Sequence, residues 1–339
     1  MKPFEYLRPS DVSEAVAALA ANPEAQVLAG GTNLVDLMKY DVTHPGAVID
    51  INRLPLKEIE QLEDGTFRIG ALVSNSIAAY HAGIAGELPL LSSAILAGAS
   101  PQLRNAATCG GNLLQRTRCY YFYDASTPCN KREPGSGCGA VGGVNRIHAI
   151  LGASQHCIAT HPSDMCVALA ALDTVVDVAG PTGDRQIPFL DFHRLPGDHP
   201  ERDNTLQQGE IVTAIRVSGG HFKRHHSYLK LRDRLSYAFA LVSVAAALDI
   251  GEDGTILDIR VALGGVAHKP WRDPLAETEC AGQPANRDTF QALATRLLAG
   301  ARGQGDNDFK IEMARRAIVR ALEQAAAGTP QIQSHKAIF

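Results

Sequence analysis

Nothing in this chain approaches 18 uninterrupted apolar residues, so it offers no bilayer-spanning helix, and its opening Met1-Lys2-Pro3-Phe4-Glu5-Tyr6-Leu7-Arg8-Pro9 lacks the apolar core of a secretory signal. Charge of one sign is missing too. A formal net charge of −4, with 20% charged and 45% hydrophobic residues, supplies neither the basic excess of a nucleic-acid-binding surface nor the polarity of a disordered chain. An even cysteine count is also lacking: seven thiols in 339 residues argue against a secreted disulfide framework and for reduced thiols or metal ligands. Those thiols form no C-x(2–4)-C zinc knuckle and show none of the familiar ferredoxin spacings. The glycine-rich turns, for their part, lack the Lys-Ser/Thr of a Walker A loop and the complete G-x-G-x-x-G dinucleotide fingerprint.

What is present is a chain long for one hydrophobic core, so two or three structural units are expected. Asp11 and Glu14 form a capping-box-like pair before Val12, Val16 and Leu19, which share a helical face. Gln26 to Ala29 and Ala47 to Ile51 read as buried strands around a helix from Val35 to Tyr40, a small α/β unit ending near residue 55. Further on, a strand is expected from Phe67 to Val73, helices from Ser76 to His81 and Pro89 to Gly98, and a hairpin from Thr174 to Ile187. Another strand is expected from Glu210 to Val217. The character changes after Ser218-Gly219-Gly220, placing a second boundary near 220. Long strands Tyr237–Ile250 and Thr255–Leu263 then flank Gly251-Glu252-Asp253-Gly254 as a hairpin, and helices Arg287–Leu298 and Phe309–Ala325 close the chain before a tail.

Three groups of residues carry chemistry. Gly30-Gly31-Thr32-Asn33 and Thr108-Cys109-Gly110-Gly111-Asn112 are two matched turns, whose glycines allow positive φ and whose successive N–H groups can converge on an anion such as a pyrophosphate. Taken singly, each Gly-Gly equally suits a tight turn after a strand; taken together, with Thr and Asn in equivalent places, they favour a ligand. Second, periodicity stops between Leu114 and about Ile158, a gap of roughly forty residues that exceeds an ordinary connection. It holds Cys119, Cys129, Cys138 and Cys157, which a metal centre would order, although spacing does not identify the metal and unrelated thiols remain the alternative. Cys109, Cys166 and Cys280 read as small core residues, and His148, His156 and His161 as neighbours of the cluster. Third, Asp164 after Pro162-Ser163 suits a helix cap or an acceptor for ligand hydroxyls, while Lys230 and Arg232, alternating with Leu229 and Leu231, read as a solvated basic strand face.

Five segments in order, Leu28-Ala29-Gly30-Gly31-Thr32-Asn33-Leu34, Gln102-Leu103-Arg104-Asn105 with Thr108 to Asn112, Pro162-Ser163-Asp164-Met165, Gly209-Glu210-Ile211 and Tyr237-Ala238-Phe239-Ala240, resemble the FAD-binding medium subunit of the xanthine dehydrogenase and carbon monoxide dehydrogenase family. The resemblance implies an α+β fold: a two-subdomain FAD-binding domain of the PCMH type (1–55 and 56–220), then a C-terminal α+β domain with an antiparallel sheet (221–330), and a tail (331–339). It implies FAD held by Val27, Leu28, Ala29, Gly30, Gly31, Thr32, Asn33 and Leu34 and by Thr108, Gly110, Gly111 and Asn112. Asp164 would bind ribityl or ribose hydroxyls, with Ile211 and Lys230 by the flavin ring or the adenosine part. The insertion at about 115–160, with Arg116-Thr117-Arg118-Cys119, Pro128-Cys129-Asn130-Lys131-Arg132 and Pro134-Gly135-Ser136-Gly137-Cys138, together with Gly264 to Arg272, resembles that of the bacterial three-subunit molybdenum aldehyde oxidases. That likeness implies a 4Fe-4S cluster on Cys119, Cys129, Cys138 and Cys157. Cys109 departs from the family, which usually has an aliphatic residue or Thr there.

The function so implied is electron transfer, with no side chain here acting as general acid or base on the organic substrate. A large subunit with a molybdenum cofactor would oxidise an aldehyde, a small subunit with two 2Fe-2S clusters would pass electrons on, and this chain would deliver them through FAD to an external acceptor. Its compartment is expected to be the cytoplasm, or the periplasm by co-export on a partner's twin-arginine signal. The alternatives are a stand-alone flavin oxidase and a zinc-stabilised scaffold without redox work.

Overall fold

The computed structural model describes residues 1–235 and 237–333, so part of the expected tail, 334–339, lies outside the described residues. Three sheets organise the chain. In the first, β1 (Glu5–Leu7), β2 (Ala25–Leu28) and β3 (Ala47–Asp50) run parallel in the order β1-β3-β2. Every residue of β3 is buried, as the unbroken run Ala47-Val48-Ile49 requires of a central parallel strand. The helix Val12–Ala21 packs Ala15, Val16 and Leu19 on this sheet. Its start is fixed by Asp11, whose carboxylate accepts the Glu14 N–H at 2.8 Å, while Glu14 reaches back to the Ser10 N–H at 2.7 Å.

The second sheet is antiparallel throughout and draws its strands from distant parts of the chain. β4 (Ile59–Gln61), β5 (Thr66–Gly70), β6 (Val175–Ala179), β7 (Arg185–Pro188) and β8 (Ile211–Ser218) lie in the order β4-β5-β8-β6-β7. Between β5 and β6 the chain forms the helices Pro89–Ala97 and Asp164–Ala171, which pack on each other in the largest apolar core. All eight residues of Asp164–Ala171 are buried. The cap of that helix is Ser163, which accepts the Cys166 N–H at 3.0 Å; Asp164 is left free of the capping role.

The third sheet, order β11-β10-β9, contains β9 (His226–Leu231), β10 (Val242–Ile250) and β11 (Ile256–Gly264). The helices Arg287–Leu297 and Phe309–Ala326 cover one face with Phe290, Leu293, Ala314, Ile318 and Leu322. Two expectations fail here. The strand expected from Tyr237 begins only at Val242, since Tyr237 takes a left-handed φ of 52° that no strand accommodates. Lys230 is not on a solvated face: Ser227 to Lys230 are all buried, and the missing alternation reflects a strand covered on both sides.

The long aperiodic segment folds into turns around one short helix, Tyr120–Tyr123. Its core is shared with the first unit: Cys119, Phe122, Cys129, Ala140, Cys157, Ile158 and Ala159 cluster with Leu37 and Val42. Side chains substitute for regular backbone pairing. Asn130 Oδ1 accepts the N–H groups of Gly135 and Gly137 at 3.1 and 2.8 Å, and Arg132 donates to the Tyr121 and Phe122 carbonyls at 2.7 and 3.0 Å. Among the described residues, no helix is long and apolar enough to cross a membrane.

Candidate cofactor site

A cavity of about 1160 Å³ opens where the three units meet, large enough for a dinucleotide-sized ligand. Of the residues expected at a cofactor, Val27, Ala29, Gly30, Gly31, Thr32, Asn33, Leu34, Thr108, Gly110, Gly111, Asn112, Asp164 and Ile211 line it. Leu28 and Lys230 do not. Leu28 lies beneath the first turn, and Lys230 stands behind Asp164.

The two glycine turns differ in kind. Between β2 and the helix Leu34–Lys39, none of the backbone N–H groups from Gly30 to Leu34 donates to a protein acceptor among the described residues. A Cβ on Gly30 would stand 1.9 Å from the Ala106 carbonyl oxygen, so only glycine lets this turn press against the end of the helix Pro101–Ala106. Gly31 has a φ of 72°. The Asn33 side-chain oxygen accepts the Arg116 N–H at 2.9 Å, which orients the amide, and its Nδ2 is buried with no partner. Five N–H groups without a protein acceptor and the unpartnered Asn33 Nδ2 therefore belong to one stretch of the cavity wall.

The second turn is not such a cradle. The N–H groups of Cys109 and Gly110 donate to the Val73 and Ala71 carbonyls at 2.8 Å, and the Gly111 N–H goes to the Thr108 hydroxyl at 3.1 Å. Its glycines serve packing: a Cβ on Gly110 would meet the Ala71 Cβ at 2.8 Å, and one on Gly111 the Thr108 Oγ1 at 2.9 Å. The expectation of two equivalent N–H nests is thus corrected, because two of those donors are consumed in joining the turn to the chain leaving β5 and the third in capping the turn's own helix. Asn112 still faces the cavity, its oxygen accepting from Ser163 Oγ at 2.6 Å and Gln115 Nε2 at 2.7 Å.

Asp164 closes another wall. Its carboxylate accepts from Tyr228 Oη and Lys230 Nζ, each at 2.7 Å, and Lys230 also donates to the Ala97 carbonyl at 3.1 Å. Burial, with the Asp164 charge beside it, raises the Tyr228 hydroxyl well above its ordinary pKa, so the phenol remains a donor. The other cavity carboxylates are also paired: Asp36 with Arg118, Glu201 with His199, Asp203 with Arg116 and Lys131, Glu210 with Arg185, Asp233 with Arg146. His161 also lines the cavity, and its Nε2 is buried with no partner among the described residues.

Beside this cavity, Cys119, Cys129, Cys138 and Cys157 line one small gap of about 10 Å³ with Lys131 and His156. None is in a disulfide. Burial pushes the Cys119 thiol up to about 12 and Cys157 to about 11, so both are neutral in the absence of a metal. His148 Nε2 is 3.0 Å from Cys119 Sγ, whereas His161 lies apart, gathered with Cys166 and His193. Cys109, Cys166 and Cys280 are buried, as expected of core residues.

Residues 2–217 match the model of the FAD binding domain in molybdopterin dehydrogenase, and residues 226–325 that of the CO dehydrogenase flavoprotein C-terminal domain. The chain belongs to the molybdopterin dehydrogenase FAD-subunit family. Within the family it is 48% identical to the aldehyde oxidoreductase FAD-binding subunit PaoB of Escherichia coli (strain K12), over 96% of this chain and 99% of that one. It is 27% identical to the xanthine dehydrogenase FAD-binding subunit of Escherichia coli O157:H7, over 86% and 84%. Among solved structures, carbon monoxide dehydrogenase from Hydrogenophaga pseudoflava superposes with a TM-score of 0.75 at 28% identity, covering 97% of this chain and 99% of that chain. The α+β fold, with its C-terminal antiparallel sheet, is that of the family, and the chain is an FAD-binding oxidoreductase subunit.

Sequence reasoning missed Arg116, Asp203 and Tyr228. Asp203 lies in a polar run that reads only as a loop, and Tyr228 in a strand without alternation. The aperiodic gap that contains Arg116 was the one available signal.

Proposed function

We propose that this chain is the electron-relaying subunit of a molybdenum-dependent aldehyde oxidoreductase, binding FAD between its two glycine turns and a 4Fe-4S cluster on Cys119, Cys129, Cys138 and Cys157. The observation that carries the FAD part is the corner formed by the free N–H groups of Gly30 to Leu34 and the unpartnered Asn33 Nδ2, a donor set suited to a pyrophosphate. Thr108, Gly110, Gly111 and Asn112 would supply shape and the Thr108 hydroxyl on the opposite side. Asp164, held by Tyr228 and Lys230, offers its remaining lone pairs to ribityl or ribose hydroxyls, and Ile211 an apolar contact. Lys230 acts there through Asp164. Leu28 supports Gly31, and Val27, Ala29 and Leu34 complete the wall.

Bound FAD supplies the conversion between single electrons and pairs that an iron–sulfur chain needs at its end. The polypeptide's part is to bind, orient and exclude water. The 48% identity to an aldehyde oxidoreductase FAD-binding subunit, over nearly the whole of both chains, supports a relay over a stand-alone oxidase. For the thiols, a donor set of four cysteines around one gap, three of them buried, next to Lys131 suits an anionic metal–sulfur centre. The likeness to the aldehyde oxidoreductase subunit supports an aldehyde as substrate of the assembly, a large molybdenum subunit and a small subunit with two 2Fe-2S clusters as partners, and an external acceptor.

The test is anaerobic purification of the complex followed by aldehyde oxidation with an artificial acceptor that requires the flavin. Turnover that disappears on deflavination and returns with FAD supports the relay. Aldehyde oxidation by this chain without partners would contradict it.

A further inference from the structure

We propose that Asp203 is a positioning residue that couples the thiol site to the FAD cradle, so that occupancy of one sets the affinity of the other. The proposal rests on the reading that the chain holds both cofactors. The two sites share a wall. Lys131 lines the thiol gap, Asp203 lines the large cavity, and Lys131 Nζ lies 2.5 Å from Asp203 Oδ1. The other carboxylate oxygen, Oδ2, takes the Arg116 Nε–H at 2.8 Å. Arg116 in turn gives its backbone N–H to Asn33 Oδ1 at 2.9 Å, and the Asn33 Nδ2 left over is the unpartnered donor at the cradle. An amide has one oxygen and one NH2 end, so spending the oxygen on Arg116 decides which end FAD meets.

The chain connectivity makes this wall sensitive to the thiols. Lys131 follows Cys129 by two residues, and Arg116 precedes Cys119 by three. Whatever orders those cysteines orders both cations that grip Asp203. Phe122, which lines the thiol gap, also lies under the Arg116 guanidinium, 4.8 Å from it. Ligation of the cysteines adds a constraint next to Lys131 and Arg116 beyond the segment's own core, so its loss loosens both cations and the hold of the Arg116 N–H on the Asn33 amide. Affinity linkage is reciprocal, so FAD must by the same factor favour the ordered thiol site.

The test is the FAD dissociation constant, read by flavin fluorescence on the deflavinated complex, with and without removal of iron by oxidation and chelation. In the wild type, iron removal raises the constant by about 5-fold or more. In Asp203→Asn the constant is already raised with iron in place, and removal leaves it unchanged within about 2-fold. If Asp203→Asn fails to fold, Lys131→Gln breaks the wall from the thiol side and gives the same loss of coupling. An unchanged constant in the iron-depleted wild type overturns the proposal, as does a variant that keeps the wild-type ratio. A wild-type complex that holds no iron or no flavin overturns the functional reading as well, and is recognised by composition before any titration.

Discussion

The Lys230 ammonium meets the Asp164 carboxylate at 2.7 Å with both side chains almost wholly out of water, 2% and 7% exposed. Such a pair gains little over an apolar replacement, but removing one partner strands the other charge. Lys230→Met is therefore expected to lower unfolding free energy by about 3–5 kcal/mol, measured by urea denaturation of the FAD-loaded complex. Combining it with Asp164→Asn, which removes the stranded charge, restores part of that stability without restoring FAD affinity. Full recovery of FAD affinity in the double variant would show that Asp164 does not face the cofactor.

The asymmetry of the glycine turns yields a second expectation. Gly30→Ala places a Cβ against a backbone carbonyl that cannot rotate away, so the cradle must open, and the purified complex should lose most of its flavin, measured as the flavin-to-protein ratio. Gly86→Ala is the control. Its Cβ would meet nothing within 4 Å in the helix Ala82–Glu87, and it should retain flavin and gain up to about 1 kcal/mol of stability.

Much of this was legible in advance because it is local. Asp11 with Glu14, the Gly251 to Gly254 hairpin turn and the face Ala314, Ile318 and Leu322 each announce themselves within a few residues, and the two glycine turns lie on the cavity. What could not be read is set by partners far along the chain. The second turn loses the N–H groups of Cys109 and Gly110 to Val73 and Ala71, carbonyls more than thirty residues away. Lys230 is buried because Asp164 awaits it, and Asp203 matters because Arg116 and Lys131 converge on it from some seventy to ninety residues earlier. Spacing could not decide what the four cysteines share; their convergence on one gap is a property of the folded insertion.

Buried histidines give a pH signature. Burial lowers His161 well below its ordinary value, His193 to about 4 and His268 to about 3. Each is neutral in the fold and takes up a proton on unfolding below about pH 6.5, so its contribution is complete above that pH and is lost as pH falls toward the folded value. Unfolding free energy should drop by up to about 1.4 kcal/mol per pH unit for each of the three between pH 6.5 and 4. The His268 ring nitrogens have no partner among the described residues, so His268→Leu should reduce the slope by one proton. Urea midpoints at pH 5.5 and 7.5 measure it, and an unaltered slope would place a different group behind the acid sensitivity.

On the proposed function, one chain holds two redox centres side by side. Flavin, iron, sulfide and zinc analysis of the anaerobically purified complex, combined with the corresponding Cys129→Ser complex, tests it directly. One FAD per copy of this chain is expected, with four irons beyond those of the partner subunits, the four being lost in Cys129→Ser. Zinc in their place, or an iron content that Cys129→Ser leaves untouched, would contradict it.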